Sequence, residues 1–233
     1  MRIAIIAAME REVAPLIRGW RLREIEHDGR RYRLFENGAA EDGGVVVICG
    51  GMGAEAARRA TEAVIQVVRP VRVLSVGFAG ALDPNMKVAD VLEPRVIVNA
   101  ADGVRTDTGS GQRTLVSYAA VAGREQKQRL AKAYAAAAAD MEAAAVAQGA
   151  QARGVEFAAL KAISDTADFS LPPMERFISS DGRFRSAAFA LYVAVRPWHW
   201  GRTLALARNS ARASRALCGA IESYLRRETR VLS

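Results

Sequence analysis

Cysteine is nearly absent: Cys49 and Cys218 are the only two in 233 residues. That excludes a disulfide-stapled scaffold, and their spacing suggests no metal site. Lysine is also scarce, four residues against 29 arginines, so the net charge of +8 is carried mostly by guanidinium groups. No stretch reaches the ~20 consecutive apolar residues that span a bilayer. The longest run, Ala187 to Val195, covers about half of that. Neither an internal repeat nor a low-complexity linker is present. With 51% apolar residues, intrinsic disorder is excluded too. At ~100–200 residues per domain, residues 1–233 read as a single domain.

Met1-Arg2 followed by Ile3 to Met9 faintly resembles a secretory signal. It lacks a small-residue cleavage site, and Glu10-Arg11-Glu12 interrupts it. We read it as a first buried strand and expect a cytoplasmic protein. The charge is uneven. Eight arginines and two glutamates lie between Arg196 and Arg230, which places most of the excess at the C-terminal end. Anionic partners or a solvated helix face would each account for it.

Apolar periodicity sets the expected order of elements. Ile3 to Ala8 reads as a strand buried on both faces. Met9 to Arg18 has helical character. Arg31 to Glu36 and Val45 to Cys49 read as strands around a polar turn region at 37–44. Gly50-Gly51-Met52-Gly53 leads into a helix from Ala54 to Val68, which stops before Pro70. Val71 to Val76 is a buried strand ending at Gly77-Phe78-Ala79-Gly80. Val88 to Val98 is extended, with an edge or bend at Pro94. Residues 101–113 read as a loop, Thr114 to Val121 as a strand and Arg124 to Lys132 as a short polar helix. Ala135 to Ala139 suits a helix or a small-residue strand. Glu142 to Arg153 is helical, Val155 to Ile163 is a buried strand, and Leu171-Pro172-Pro173 marks a loop. A last helix runs from about Gly201 to Arg227, with Ala207, Ala211, Ser214, Cys218, Ile221 and Leu225 on one side and arginines on the other. The whole is an α/β fold: a central twisted, mostly parallel or mixed sheet flanked by helices.

In such sheets ligands bind beyond the carboxyl ends of strands. Four places there carry suggestive residues: Met9 to Glu12, Gly77 to Gly80, Asp140-Met141-Glu142, and Ile163-Ser164-Asp165 with Asp168 close behind. Taken singly, an acid at a strand end is more often a helix cap, and Gly77 and Gly80 more often turn residues. The glycines at 50, 51 and 53 lack the dinucleotide spacing.

As a set, these segments resemble the purine nucleoside phosphorylase and nucleosidase superfamily, and within it the methylthioadenosine/S-adenosylhomocysteine nucleosidases. Ile5 to Glu12 is similar to that family's opening strand and catalytic-glutamate segment. Val76 to Leu82 is similar to its glycine turn, and Lys87 to Val91 to its Lys-Val-Gly-Asp segment. Asp140-Met141-Glu142-Ala143 resembles its ribose-binding motif. Lys161 to Asp168 resembles its Arg-Ala-Ile-Ser-Asp-Val-Ala-Asp. The motifs keep the family's order over about residues 1 to 170.

The resemblance implies cleavage of an N-ribosidic bond, with a purine nucleoside as substrate and no cofactor or metal. Asp165 matches the general acid that protonates the leaving adenine at N7. A free aspartic acid has a pKa of ~3.9, so only roughly one in a thousand is protonated at pH 7. Desolvation or a nearby carboxylate is expected to raise it. Ser164 would orient the Asp165 carboxyl. Glu142 would accept hydrogen bonds from the ribose hydroxyls and favour an oxocarbenium ion. Met141 would pack on the sugar. Glu12 would hold and deprotonate the attacking water. Gly77, Phe78, Val121 and Lys161 complete the expected substrate contacts.

Departures accompany the likeness. Phe78 stands where the family has serine, and Lys161 where it has arginine, a less directional donor. The loop at 101–113 is shorter. Ser117-Tyr118-Ala119-Ala120-Val121-Ala122 replaces a segment carrying the aromatic partner of the base. The superfamily's phosphorylases place an arginine just before the glycine turn, where this chain has Leu74-Ser75-Val76. With Glu12 in place, hydrolysis is favoured over phosphorolysis. Family membership also implies a homo-oligomer.

The tail differs from ordinary nucleosidases. Arg196-Pro197-Trp198-His199-Trp200-Gly201-Arg202 has the composition of a membrane interface, although tryptophans in a core or an oligomer contact are the plainer reading. His199 is expected to be structural. With Ser210 to Leu217, this tail resembles the hopanoid-associated branch, whose members act on adenosylhopane, a nucleoside carrying a polycyclic hydrocarbon at its 5′ carbon. That implies a greasy channel and a peripheral membrane contact through Trp198, Trp200 and the arginine face. A plain methylthioadenosine/S-adenosylhomocysteine nucleosidase and a nucleoside-binding but inactive relative remain alternatives. An arginine-rich nucleic-acid binder is disfavoured, since no recognised module for it is present.

Overall fold

The computed structural model describes residues 2–38, 44–171, 174–179, 182 and 184–231. Residues 39–43 of the expected 37–44 turn, and Pro172 and Pro173 of the expected loop, lie outside that set.

The first strand, β1 (Ile3–Ala7), is buried at every position. Successive side chains of a strand point to opposite faces, and both faces are covered. Ile3, Ile5 and Ala7 pack with Ala213, Leu217 and Ile221 of the last helix. Ala4 and Ile6 pack with Ala57, Ala60 and Val64 of α2 (Ala54–Val68). Thus a continuous apolar run becomes the centre of a three-layer structure. β1 pairs in parallel with β4 (Val45–Cys49) on one side and β5 (Arg72–Ala81) on the other.

The sheet is mixed. Its order is β2-β3-β4-β1-β5-β10-β9-β7-β8, with β11 pairing β5 and β6 off this path. The strands are β2 (Arg21–His27), β3 (Arg30–Asn37), β6 (Val91–Leu92), β7 (Pro94–Asn99), β8 (Arg105–Asp107), β9 (Arg113–Ser117), β10 (Ala138–Asp140) and β11 (Glu156–Asp165). β5 and β11 run parallel along almost their whole length, with a register shift between Ile163 and Asp165. The helices are α1 (Glu10–Val13), α2, α3 (Arg124–Tyr134), α4 (Ala143–Gln151), α5 (Ser186–Ala194) and α6 (Trp200–Val231).

Several expectations require correction. α1 ends at Val13 rather than Arg18. Pro15 brings no N–H to the ladder, and tight turns follow, with Leu16 N and Ile17 N both donating to Val13 O. β2 was not expected, because only Ile25 of its seven residues is buried. It forms a hairpin with β3 across Asp28-Gly29, both at positive φ, the geometry favoured by an Asp-Gly pair. The segment 101–113 is not only loop, since β8 pairs with β7. Of the two conformations that suit 135–139, the strand is the one found, with Ala138 and Ala139 in β10. The glycine segment 77–80 does not end its strand; β5 continues through it to Ala81. On α6, Ser214, Cys218 and Ile221 are buried as expected, but Ala207 and Ala211 are exposed. Neither tryptophan of the tail is in a core: Trp198 and Trp200 are 69% and 55% exposed. Among the described residues no helix is long and apolar enough to cross a membrane.

Candidate active site

One cavity gathers residues from the ends of β1, β10 and β11 and the C-terminal part of β5. It is lined by Glu12, Phe78, Gly80, Val121, Lys127, Met141, Glu142, Ser164 and Asp165, among others. Of the expected residues, Gly77 and Lys161 do not line it.

Glu12 sits in the first turn after β1, and its side chain turns back over the strand end. Its Oε2 accepts from the N–H of Ala8 at 3.0 Å and of Met9 at 3.1 Å, and the Phe78 N–H lies 3.4 Å from Oε1. The contact to Met9 is the one a capping glutamate makes, yet the carboxyl also faces the cavity. Burial pushes it above the usual glutamate range, against the pull of these N–H groups and of Lys161. Ser214 Oγ of α6 donates to the Glu12 carbonyl at 3.0 Å, so the last helix fixes this turn. Gly77 is needed beside it. Its φ is +149°, and a methyl group there would stand 3.3 Å from Glu12 Oε2.

Glu142 precedes α4. Its Oε1 accepts from the Gly53 N–H at 2.7 Å, and Oε2 from the Met141 N–H at 3.3 Å. The third glycine of the 50–53 segment therefore serves a carboxylate of the site. Burial, and then the neighbouring Asp140 charge, push the Glu142 carboxyl up to about 7.

Asp165 ends β11. Ser164 Oγ donates to its Oδ1 at 2.7 Å, which matches the orienting contact expected for Ser164. The other oxygen is not exposed to a carboxylate. It pairs with the Lys127 ammonium, which also donates to Thr166 O at 2.6 Å. Sequence reasoning missed Lys127. It belongs to a helix that reads as polar and solvated, yet its side chain is 2% exposed. The glycine at 80 leaves it room, since a methyl group there would sit 3.1 Å from Lys127 Cε and 3.0 Å from Asp165 Oδ2.

Lys161 lies behind the cavity wall rather than on it. Its ammonium is 2.9 Å from Asp140 Oδ2 and 3.1 Å from Ser75 Oγ, and its side chain is 1% exposed. Burial alone would lower this ammonium; the Asp140 and Glu142 carboxylates outweigh that and raise it. Asp140 is saturated as well, accepting from Ser117 Oγ at 2.6 Å and from the Ala143 N–H at 2.9 Å. It caps α4 and neutralises Lys161. His199 lies outside the cavity, its ring stacked on Tyr192 with centroids 5.8 Å apart.

Replacing Lys161 with methionine would strand the Asp140 carboxylate in the interior. Breaking a buried pair in this way costs ~3–5 kcal/mol. Urea unfolding of Lys161→Met should show that loss; a change below ~1 kcal/mol, the scale of an exposed pair, would mean the bridge offsets little.

The chain is similar to several known proteins. The family model of the phosphorylase superfamily matches residues 2–126 and, overlapping, 113–195. A 5′-methylthioadenosine/S-adenosylhomocysteine nucleosidase of Staphylococcus aureus (strain JH9) is 28% identical over 200 residues, covering 71% of this chain and 87% of the relative. Two solved structures share the fold. The 5′-methylthioadenosine nucleosidase of Arabidopsis thaliana in apo form has a TM-score of 0.71 at 18% identity, covering 97% of this chain and 94% of its own. The futalosine hydrolase of Helicobacter pylori strain 26695 has a TM-score of 0.68 at 20% identity, covering 96% and 98%. With the matched stretches spanning most of its length, the chain belongs to the phosphorylase superfamily, the nucleoside phosphorylase and nucleosidase group that its motifs resemble.

Proposed function

We propose that this protein hydrolyses the N-ribosidic bond of a 5′-substituted adenosine and releases adenine. The observation that carries the reading is the convergence of Glu12, Glu142 and Asp165 on one cavity. In the proposed reaction Asp165 protonates N7, so that the base leaves neutral rather than as an anion. Glu142 accepts hydrogen bonds from the 2′- and 3′-hydroxyls, and its charge stabilises the ribosyl cation as the bond breaks. Met141 packs on the sugar, and Phe78 and Val121 bound the base and ribose. Glu12, held by backbone N–H groups, takes the proton of the attacking water. The reaction calls for no cofactor or metal ion.

Water is favoured over phosphate as the nucleophile. Ser75, in the segment where the superfamily's phosphorylases carry arginine, is turned to Lys161. Among the described residues lining the cavity only Arg11 and Lys127 are cationic, and Lys127 is engaged by Asp165. Product analysis tests this. Adenine together with free ribose product, at a rate indifferent to phosphate, is expected. Ribose 1-phosphate would assign phosphorolysis, and no adenine at all would overturn the reading. Asp165→Asn should slow release by ~10²–10⁴-fold, the usual contribution of a positioned acid.

The 5′ group is inferred from a second feature. An apolar groove of about 550 Å³ continues from the cavity, sharing Phe78, Met174, Leu206 and Ser210 with it and adding Phe189 and Ala211. That supports a bulky apolar 5′ substituent, consistent with the adenosylhopane-cleaving step that the C-terminal resemblance implies. Rapid turnover of small 5′-thio nucleosides would favour a plain methylthioadenosine/S-adenosylhomocysteine nucleosidase instead.

Glu142 adds a pH dependence. The carboxylate, the better acceptor for ribose hydroxyls, is the form present above about 7. Calorimetric affinity for a non-cleavable C-nucleoside analogue of adenosine should therefore rise as the pH climbs through that value. In Glu142→Gln the binding should be weak and flat with pH. A flat wild-type profile contradicts the assignment.

The exposed apolar surface of α5 and the start of α6 supports docking on an anionic lipid surface. Leu191, Val195, Trp198, Trp200 and Leu204 are each more than half exposed, at 70%, 64%, 69%, 55% and 53%. Helix α5 is apolar throughout, yet only Val193 is buried. Arg196 and Arg202 stand among these residues in the sequence, and Arg208 and Arg212 follow on α6. Aromatic and aliphatic side chains among arginines suit an anionic interface. Sedimentation with anionic vesicles should capture the protein, and salt or the pair Trp198→Ala and Trp200→Ala should release it. Equal binding to neutral vesicles, or a salt-stable dimer that ignores vesicles, would assign the patch elsewhere.

A further inference from the structure

Lys127 lines the cavity and pairs with Asp165, and the reaction written above gives it no task. We propose that Lys127 is the reservoir from which Asp165 draws the proton it delivers to the leaving base. This rests on the adenine-releasing reading.

Both oxygens of Asp165 accept hydrogen bonds, Oδ1 from Ser164 and Oδ2 from the Lys127 ammonium. That is the bonding pattern of a carboxylate. A carboxylate cannot protonate N7. The nearest proton is on Nζ, already aimed at Oδ2 and steadied by Thr166 O at 2.6 Å.

The choice of residue points the same way. Arginine fills 29 of the 33 cationic positions, yet both buried ion pairs at the site use lysine, at 127 and 161. Arginine holds an ion pair at least as well, but it does not release a proton in proteins. Lysine can.

Binding of the base completes the device. The pair is already almost wholly buried, and adenine seated over Gly80 and Val121 would close the cavity face that Asp165 still presents. Two separated charges are costly to desolvate, whereas an amine beside a carboxylic acid is less so. The proton then moves from Nζ to the Asp165 carboxylate, and from that carboxyl to N7 as the C1′–N9 bond breaks. The electron pair of that bond leaves with N9, so adenine departs neutral and Lys127 is left as a neutral amine. Water adds to C1′, and its proton goes to Glu12. Loss of that proton to solvent and regain of one by Lys127 restore the starting state. The net change is nucleoside plus water to adenine plus the free sugar.

Two substrates compared on one sample test the relay. A 5′-alkylthioadenosine carrying a long apolar chain needs a proton on its leaving base; p-nitrophenyl β-D-ribofuranoside releases a stable phenolate and needs none. In Lys127→Ala and Lys127→Arg, adenine release should fall by at least ~100-fold more than phenolate release, the scale of a positioned acid. The ratio cancels any loss of folded protein. Added methylamine should restore adenine release to Lys127→Ala, and guanidinium should not. Retained adenine release in Lys127→Arg would show that charge alone suffices and overturn the proposal. So would parallel loss on both substrates, or no rescue by methylamine. If the wild type releases no adenine, the function itself fails; if it does, these outcomes judge the relay alone.

Discussion

Four carboxylates meet where β1, β10 and β11 end, and the cost of burying them shapes everything around the cavity. An unpaired ion in a protein interior costs several kcal/mol. Each of the four is compensated differently, and the compensation decides what the group is free to do. Asp140 has a cation, a hydroxyl and a helix N–H, so it is closed to further chemistry. Asp165 has a cation and a hydroxyl but still faces the cavity. Glu12 and Glu142 are held by backbone N–H groups, and burial raises both above the ordinary glutamate range. The result is a graded set: one structural ion, one acid tied to a proton source, and two carboxyls that burial raises, Glu142 to about 7.

Backbone, more than side chains, makes that arrangement possible. β5 passes between Glu12 and the Asp165–Lys127 pair, and it does so with glycine at both crossings. At Gly77 the backbone takes a conformation disfavoured for other residues, and at Gly80 the absence of a side chain leaves room for the ion pair. α6 then ties the layers together. It buries Leu217 and Ile221 against β1 and β11, and through Ser214 it holds the carbonyl of Glu12. The helix that walls the apolar groove therefore also sets the position of the residue proposed to activate water.

Much of this was legible in the residues. The β1 run, the α2 boundary before Pro70 and the buried β11 follow from apolar patterning, which reports burial directly. A shared site for positions 12, 142 and 165 is what the family resemblance implies, and all three line one cavity. What escaped was set by contacts distant in sequence. β2 has charges on both faces, so its period carries little signal; its place comes from pairing with β3. Pro15 stops α1, although Leu16 and Ile17 continue a helical stripe into the core. Lys161 matched a substrate-contacting position by motif alone, yet the turn of β11 aims it at Asp140. Lys127 looked like one more solvated charge on a polar helix. Only the packing of α3 beside β10, with glycine at position 80 opposite, turns it inward.

Chemistry and selectivity are consequently built from different parts of the chain. The carboxylate cluster comes from strand ends between residues 12 and 165, where neighbours in the sheet constrain every position. The groove comes from α1, Phe78, Met174, α5 and α6, mostly outside the strand ends. Helix α5 is the extreme case, apolar on all sides with a single buried residue. A helix of that composition is stable in water only against an apolar partner. Because the groove opens beside it and leads to the cavity, whatever covers α5 also stands at the entrance for substrate. A lipid surface in that place would bring an apolar nucleoside to the entrance while its ribose and base travel on to the carboxylates. On that proposal, the exposed α5 and the groove would serve one purpose, and the strand-end chemistry would need no alteration for it.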